Sequence, residues 1–395
     1  MKRILPAILI GVLAWAGSAA GDDERIMVDA QINGQPVRFA FDTGAGDAVL
    51  IFSKTAEKLG LTVTPPPPGQ KPAPGQVANG TTSPVKLELG GAEALTSLGV
   101  VDTPAYLALG MDGVLGWPAI KGDLVAIDCL ADRVSFLNKL PGKMSGWTKY
   151  HIITNLPGAG LTLELPHKHD ADEILAIDTG SFYGVELSPA RWWTWKTREA
   201  KPPYTLNAYY TPSIGLVVEA EAWAKTIAVG SLALTDLPVT KVDKSYVGMN
   251  SIPEASFEGT LGFAALKRLD IIVDAKNNLA YLRPKKSPPT PYDHNRLGAV
   301  FAPPTKQSAE LVGHVIPGSP AFAAGLRDGD ELLKIGALDC TRWRTDPAVL
   351  PLTRFWNSPA GTRLDLTVSR GGKTFETTAT LRNILPPDAT TGSQP

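Results

Sequence analysis

Cysteine is almost absent: Cys129 and Cys340 are the only two among 395 residues. Two thiols cannot build a disulfide framework. Neither has a Cys or His close by at ligand spacing, which also excludes a zinc site. Histidine is nearly as scarce, with five in the chain. Only His167 and His169 share a turn, and a solvated, charged turn accounts for that pair without a metal. No charge of one sign dominates: 38 Lys and Arg stand against 39 Asp and Glu, for a net charge of −1. With no positive field, a phosphate backbone has nothing to bind, so nucleic acid is excluded as a partner. A long hydrophobic run is missing too. The apolar stretch from Ile4 to Ala16 falls short of the ~20 residues that a membrane span needs, and no later stretch reaches that length.

That stretch has another use. Lys2 and Arg3 precede it, and Ser18-Ala19-Ala20 follows it with small residues. The pattern predicts a cleaved secretory signal over residues 1–20 and a periplasmic or secreted mature protein without a transmembrane segment.

What the chain does have is an internal repeat. Gly113-Val114-Leu115-Gly116 and the five residues after it lie over Gly259-Thr260-Leu261-Gly262 and its five without a gap, and each copy reaches an aspartate, Asp128 or Asp274, 12 residues beyond its Leu-Gly. Upstream, Phe39-Ala40-Phe41-Asp42-Thr43-Gly44-Ala45 matches Leu175-Ala176-Ile177-Asp178-Thr179-Gly180-Ser181. Alternating Val37, Phe39 and Phe41, and likewise Leu175 and Ile177, predict half-buried strands leading into each Asp-Thr-Gly. Asn33-Gly34 predicts a hairpin turn ahead of the first. Ser53 and Ser188 are expected to cap short helices, the first running from Lys54 to Leu59 with Gly60 as its stop. The whole reads as mainly β.

A lone Asp-Thr-Gly is weak evidence, but two at equivalent points of a repeat are not. Asp brings a carboxyl, Gly permits a tight turn and close approach, and Thr can hydrogen-bond across a pseudo-twofold axis. If the copies meet face to face, two carboxylates too close to ionise together share one proton. The ionised one can then activate water while the other donates to a carbonyl oxygen, which is hydrolysis without a covalent intermediate.

On these residues the chain resembles the aspartic proteases, especially their retropepsin-like bacterial branch, over roughly Arg25 to Arg283. The resemblance implies two pseudo-symmetric, closed β-barrel-like lobes, at 25–140 and 146–284. It further implies Asp42 and Asp178 as the catalytic pair, with Thr43, Gly44, Thr179 and Gly180 shaping the active-site loops. Because both copies lie in one chain, a monomer is expected. A flap is expected near Gln76 to Thr81 in the first copy and near Tyr209 and Tyr210 in the second. The resemblance calls for no cofactor and no metal.

Two proline-rich stretches punctuate the chain, Pro65–Pro74 as an extended loop and 285–292 as a semi-rigid linker. Beyond the linker, Asn295 to Phe301 and Val315 to Ile335 resemble a PDZ domain, over 293–385. That resemblance implies that Leu297, Gly298, Ala299 and Val300 present backbone N–H groups to a peptide C-terminus. Residues 386–395 are expected to be a disordered tail. The reading is thus an exported aspartic endopeptidase acting on peptide or protein substrates, with a PDZ domain recruiting peptides. The alternative is a peptide-binding scaffold that keeps the protease-like loops without turnover. Trp192, Trp193 and Trp195 are read as packing residues.

Overall fold

The computed structural model describes residues 25–46, 49–66, 79–102, 110–120, 123–156, 159–165, 173–198, 202–211, 215–241, 256–286, 292–305, 308–346, 348–349 and 351–386. The signal segment, Gln76–Ala78 of the first expected flap, His167 and His169, most of both proline-rich stretches, and residues 387–395 lie outside them. So do the side chains of Tyr209 and Tyr210. The chain forms two compact units. The first takes the chain up to Arg191 with Thr226–Thr235 and Val242–Ser287; the second takes Trp192–Lys225, Asp236–Lys241 and the chain from Pro288 onward.

The first unit opens with β1 (Met27–Ile32) and β2 (Gln35–Asp42), an antiparallel hairpin. Its turn residues Asn33 and Gly34 have φ of 51° and 77°, the left-handed pair that a two-residue hairpin turn needs. Next come β3 (Val49–Phe52), helix α1 (Ser53–Lys58), β4 (Val63–Thr64), β5 (Gly80–Thr82), β6 (Val85–Leu89), β7 (Ala92–Thr96), β8 (Gly99–Val101) and β9 (Gly113–Gly116). Their sheet runs in the order β4-β5-β8-β3-β9-β2-β1-β6-β7. Val37, Phe39 and Phe41 face the core as the alternation predicts. Ala40 between them is buried as well, packed with Leu50, Phe52, Val101 and Met111, because the end of β2 is covered on both sides.

The chain continues through β10 (Leu124–Asp128), β11 (Arg133–Phe136), β12 (Thr148–Ile152), β13 (Thr162–Leu165), β14 (Glu173–Ile177), β15 (Val185–Leu187) and α2 (Pro189–Arg198). After β16 (Tyr204–Thr211), β17 (Gly215–Val229) and β18 (Leu232–Lys241) come β19 (Phe257–Leu261), α3 (Phe263–Leu266), β20 (Leu269–Asp274) and β21 (Leu279–Pro284). The boundary between the units falls inside α2, β17 and β18. Within the first unit the second sheet runs β11-β10-β20-β21-β12-β13-β14-β19-β15.

The sequence repeat is a structural repeat. β2 lies parallel to β9, which pairs antiparallel with β3; β14 lies parallel to β19, which pairs antiparallel with β15. The strands that follow each copy, β10 and β20, pair with each other. Asp128 and Asp274, the markers that end them, accept backbone N–H groups of their own turns. Lys285 then bridges Asp128 at 2.9 Å and Asp270 at 3.2 Å.

Two expectations are corrected. The sheets do not close into barrels among the described residues: β4 and β7 stand as free ends of the first, and two-residue β4 is too short to carry a closure. Ser53 is the first helical residue rather than the cap, and its hydroxyl donates to Asp102 instead. Ser188 does cap α2, accepting from the Arg191 N–H.

In the second unit β16 pairs antiparallel with the start of β17. Its C-terminal part holds β22 (Ala299–Ala302), β23 (Val312–Val315), α4 (Pro320–Ala323), β24 (Glu331–Ile335), β25 (Leu338–Asp339), α5 (Thr353–Trp356), β26 (Arg363–Arg370) and β27 (Lys373–Thr380). The sheet order is β22-β23-β24-β26-β27, with β25 on β24. Ser319 caps α4, and buried Asp330 is clamped by both Nε and an Nη of Arg370. Trp192 is buried and stacks on Trp195, whereas Trp193 is 63% exposed. Both cysteines are buried and unbonded to each other. No helix among the described residues is long and apolar enough to cross a membrane.

Candidate active site

Asp42 ends β2, and Asp178 follows β14 directly. Each strand runs straight into a turn, and the two turns are locked together by a reciprocal set of bonds. The Thr43 N–H donates to Thr179 Oγ1 at 3.0 Å, and the Thr179 N–H donates to Thr43 Oγ1 at 3.1 Å. The hydroxyls then donate across, Thr43 to the Ile177 carbonyl at 2.7 Å and Thr179 to the Phe41 carbonyl at 2.8 Å. Both threonines are fully buried, so each of these four bonds satisfies a group that water cannot reach.

The lock brings the two aspartates together. The Asp42 and Asp178 carboxyls are hydrogen-bonded to each other. The turns also hold each carboxyl from behind: Gly44 and Ala45 N–H reach Asp42 Oδ1 at 2.8 and 3.0 Å, and Gly180 and Ser181 N–H reach Asp178 Oδ1 at the same two distances. Glycine is required at both turns. A Cβ on Gly44 would collide with the Asp178 carboxyl, and one on Gly180 with that of Asp42.

Burial raises both carboxyls above the ordinary aspartate range. For Asp178 the rise is larger, because after burial the charges of Asp42 and of Glu186 also oppose its ionisation. Asp42 is drawn back by its hydrogen bond with Asp178, by the Gly44 and Ala45 N–H groups and by the positive charge of Arg25. A pair held this way carries one proton between two oxygens and can supply a base and an acid at once.

All six residues expected at the site, Asp42, Thr43, Gly44, Asp178, Thr179 and Gly180, are thus brought together in the first unit. Arg25 and Glu186 are additional, as is Ser181 in the role it plays here. Ser181 Oγ donates to Glu186 Oε2 at 2.8 Å. Comparing the repeat position by position was the signal that could have found this pair, since Ser181 and Glu186 stand where the first copy has Ala45 and Leu50.

Leu297, Gly298, Ala299 and Val300 lie in the second unit, where Ala299 begins β22. The Leu297 and Gly298 N–H groups donate to Asn295 Oδ1 at 2.9 and 3.0 Å, while Ala299 and Val300 pair with Val315 and His314 of β23. Asn295 Nδ2 in turn donates to the Ala299 carbonyl. The described residues contain no cluster of three or more His, Cys, Asp or Glu able to hold a metal ion.

Residues 28–119 match the protein family described as aspartyl protease, a span that includes β2, the Asp42 turn and β9. Among solved structures, the chain is similar to the aspartic proteinase from Irpex lacteus, at 12% identity and a TM-score of 0.38 over 66% of this chain and 94% of that one. No curated protein matches the chain by sequence. The family match supports an aspartyl-protease-like fold around Asp42.

Proposed function

We propose that the chain is an aspartic endopeptidase that hydrolyses peptide bonds with the Asp42–Asp178 pair. The observation that carries this reading is the hydrogen-bonded pair itself, with both turns bound to each other through Thr43 and Thr179. The ionised aspartate takes a proton from water as the water oxygen bonds to the carbonyl carbon, and the protonated aspartate gives its proton to the carbonyl oxygen. Collapse of the tetrahedral diol returns that proton, passes the first one to the departing amine nitrogen and breaks the C–N bond. Both aspartates end as they began. Nothing else is consumed, so no cofactor is required.

The sequence supports two further parts of the reading. The N-terminal pattern of Lys2-Arg3, an apolar run and Ser18-Ala19-Ala20 suits export to the periplasm or beyond. The C-terminal segment 293–385 suits a peptide reader that recruits substrates by their C-termini. A bound carboxylate there has to displace Asn295 Oδ1 from Leu297 and Gly298, so Asn295→Ala is expected to tighten binding of a fluorescent C-terminal peptide; weakened or unchanged binding argues against a reader.

The test of the hydrolase is cleavage of dye-labelled unfolded casein by wild-type, Asp42→Asn and Asp178→Asn proteins. Turnover by wild-type alone is expected. No cleavage by any of them, with all three folded, favours the scaffold.

A further inference from the structure

The two halves of the site are not chemically equal. Eight residues after its aspartate, the first copy has Leu50 and the second has Glu186; three residues after, the first has Ala45 and the second Ser181. Strand pairing extends the contrast. Leu50 stands opposite Val114 on β9, whereas Glu186 stands opposite Thr260 on β19. One copy therefore fills this place with an apolar trio, and Leu50 belongs to a hydrophobic cluster there. The other fills it with Ser181, Glu186 and Thr260.

A carboxyl in such a place has a cost that packing does not explain. Glu186 is 7% exposed and Thr260 fully buried. Ser181 joins Glu186 to the dyad by an unbroken path: its N–H donates to Asp178 Oδ1 and its hydroxyl to Glu186 Oε2. Thr260 Oγ1 has no hydrogen-bond partner among the described residues. The next charged group along β19, Glu258, is ion-paired with Arg191 of α2 and lies beside Glu173 of β14, so Arg191 is already matched. The charge that acts on Asp42, by contrast, is positive, that of Arg25.

We propose that Glu186 is a positioning residue: held by Ser181, it assigns the shared proton of the dyad to Asp178 and leaves Asp42 as the base that takes the proton of water. This rests on the hydrolase reading for its use, but not for its physics. The negative charge acting on Asp178 and the positive one acting on Asp42 separate the two aspartates in a direction that the N–H groups holding each carboxyl, matched in the two turns, do not. Burial lifts Glu186 itself to about 7, so its own charge develops near neutrality and resists loss of the last dyad proton there. The singly protonated state accordingly extends to higher pH than the aspartates alone would hold it.

The experiment follows the Asp42 and Asp178 carboxyls by carbon-13 NMR of aspartate-labelled full-length protein, with Asp42→Asn and Asp178→Asn for assignment. Wild-type is compared with Glu186→Gln, which keeps the shape, Glu186→Leu, which copies the first lobe, and Glu186→Asp, which keeps the charge. In wild-type, Asp42 ionises first and Asp178 holds its proton. In the Gln and Leu variants, whichever of them folds, Asp178 ionises at lower pH, and Glu186→Asp restores the wild-type order. Cleavage of labelled casein is read alongside: its basic limb moves to lower pH in the same variants, with a severalfold loss at neutral pH relative to the optimum. Identical Asp178 titration in wild-type and the charge-removing variants overturns the assignment, whether or not casein is cut. A shifted titration without cleavage by any protein keeps the assignment and overturns the hydrolase.

Discussion

At the residue scale, the site depends on groups that are buried and satisfied by one partner. Thr179→Val keeps the volume but strips the acceptor from the Thr43 N–H and the donor from the Phe41 carbonyl, both out of reach of water. An orphaned buried group costs about 1–3 kcal/mol. Urea unfolding is expected to register a loss of that order, and an unchanged midpoint would mean the lock is not carrying the turns. His294 of the second unit makes a different prediction. Its Nε2 accepts from the Ile384 and Leu385 N–H groups, and burial lowers it from 6.5 to about 4. The fold binds the neutral ring, so the unfolded chain takes up the proton first. The stability from this site is full above pH 6.5 and is lost as the pH falls toward 4, by about 3 kcal/mol in all. The urea midpoint of wild-type should therefore drop more steeply over that window than that of His294→Gln. Parallel curves would contradict it.

At the scale of elements, the two turns are where sequence and structure meet most closely. Asn33-Gly34, the alternation in β2 and β14 and the paired Asp-Thr-Gly were legible because each is a local rule: a turn that needs positive φ, a strand with one face inward, a glycine where another chain segment approaches. Gly44→Ala tests the last. Its methyl would land on the Asp178 carboxyl, and displacement of a reacting group by about 1 Å costs on the order of 100-fold in turnover. Gly142→Ala, at a position with open space and no positive φ, is expected to cleave as wild-type does. Equal cleavage by both variants would remove the close approach from the mechanism. Glu186 was not legible by any local rule, since its meaning depends on β15 pairing with β19 and on the turn after β14 folding over it. Asn295 escaped for the same reason: a lone asparagine before an apolar run does not announce that it will occupy two N–H groups. The Ser53 cap failed because Asp102, 49 residues away, offered its hydroxyl a charged acceptor.

At the scale of the molecule, both Asp-Thr-Gly turns belong to one compact unit of one chain. A mixture of Asp42→Ala and Asp178→Ala proteins is therefore expected to stay inactive, and restored cleavage would mean that dyads form between chains. The division of the chain into units was not legible in the sequence, because residues 192–225 and 236–241, inside the second repeat, join the C-terminal segment through contacts distant in sequence. Thr205 Oγ1 donating to the Asn295 carbonyl is one such contact.

Hydrolysis here is the work of two aspartates that share one proton. The most direct test is the rate of cleavage of dye-labelled casein by wild-type and Asp178→Asn proteins from acid to neutral pH, with thermal melts to establish that both are folded. Wild-type is expected to follow a bell, falling where both carboxyls are protonated and again where both are ionised, with no cleavage by Asp178→Asn at any pH. Equal cleavage by the two folded proteins would contradict it.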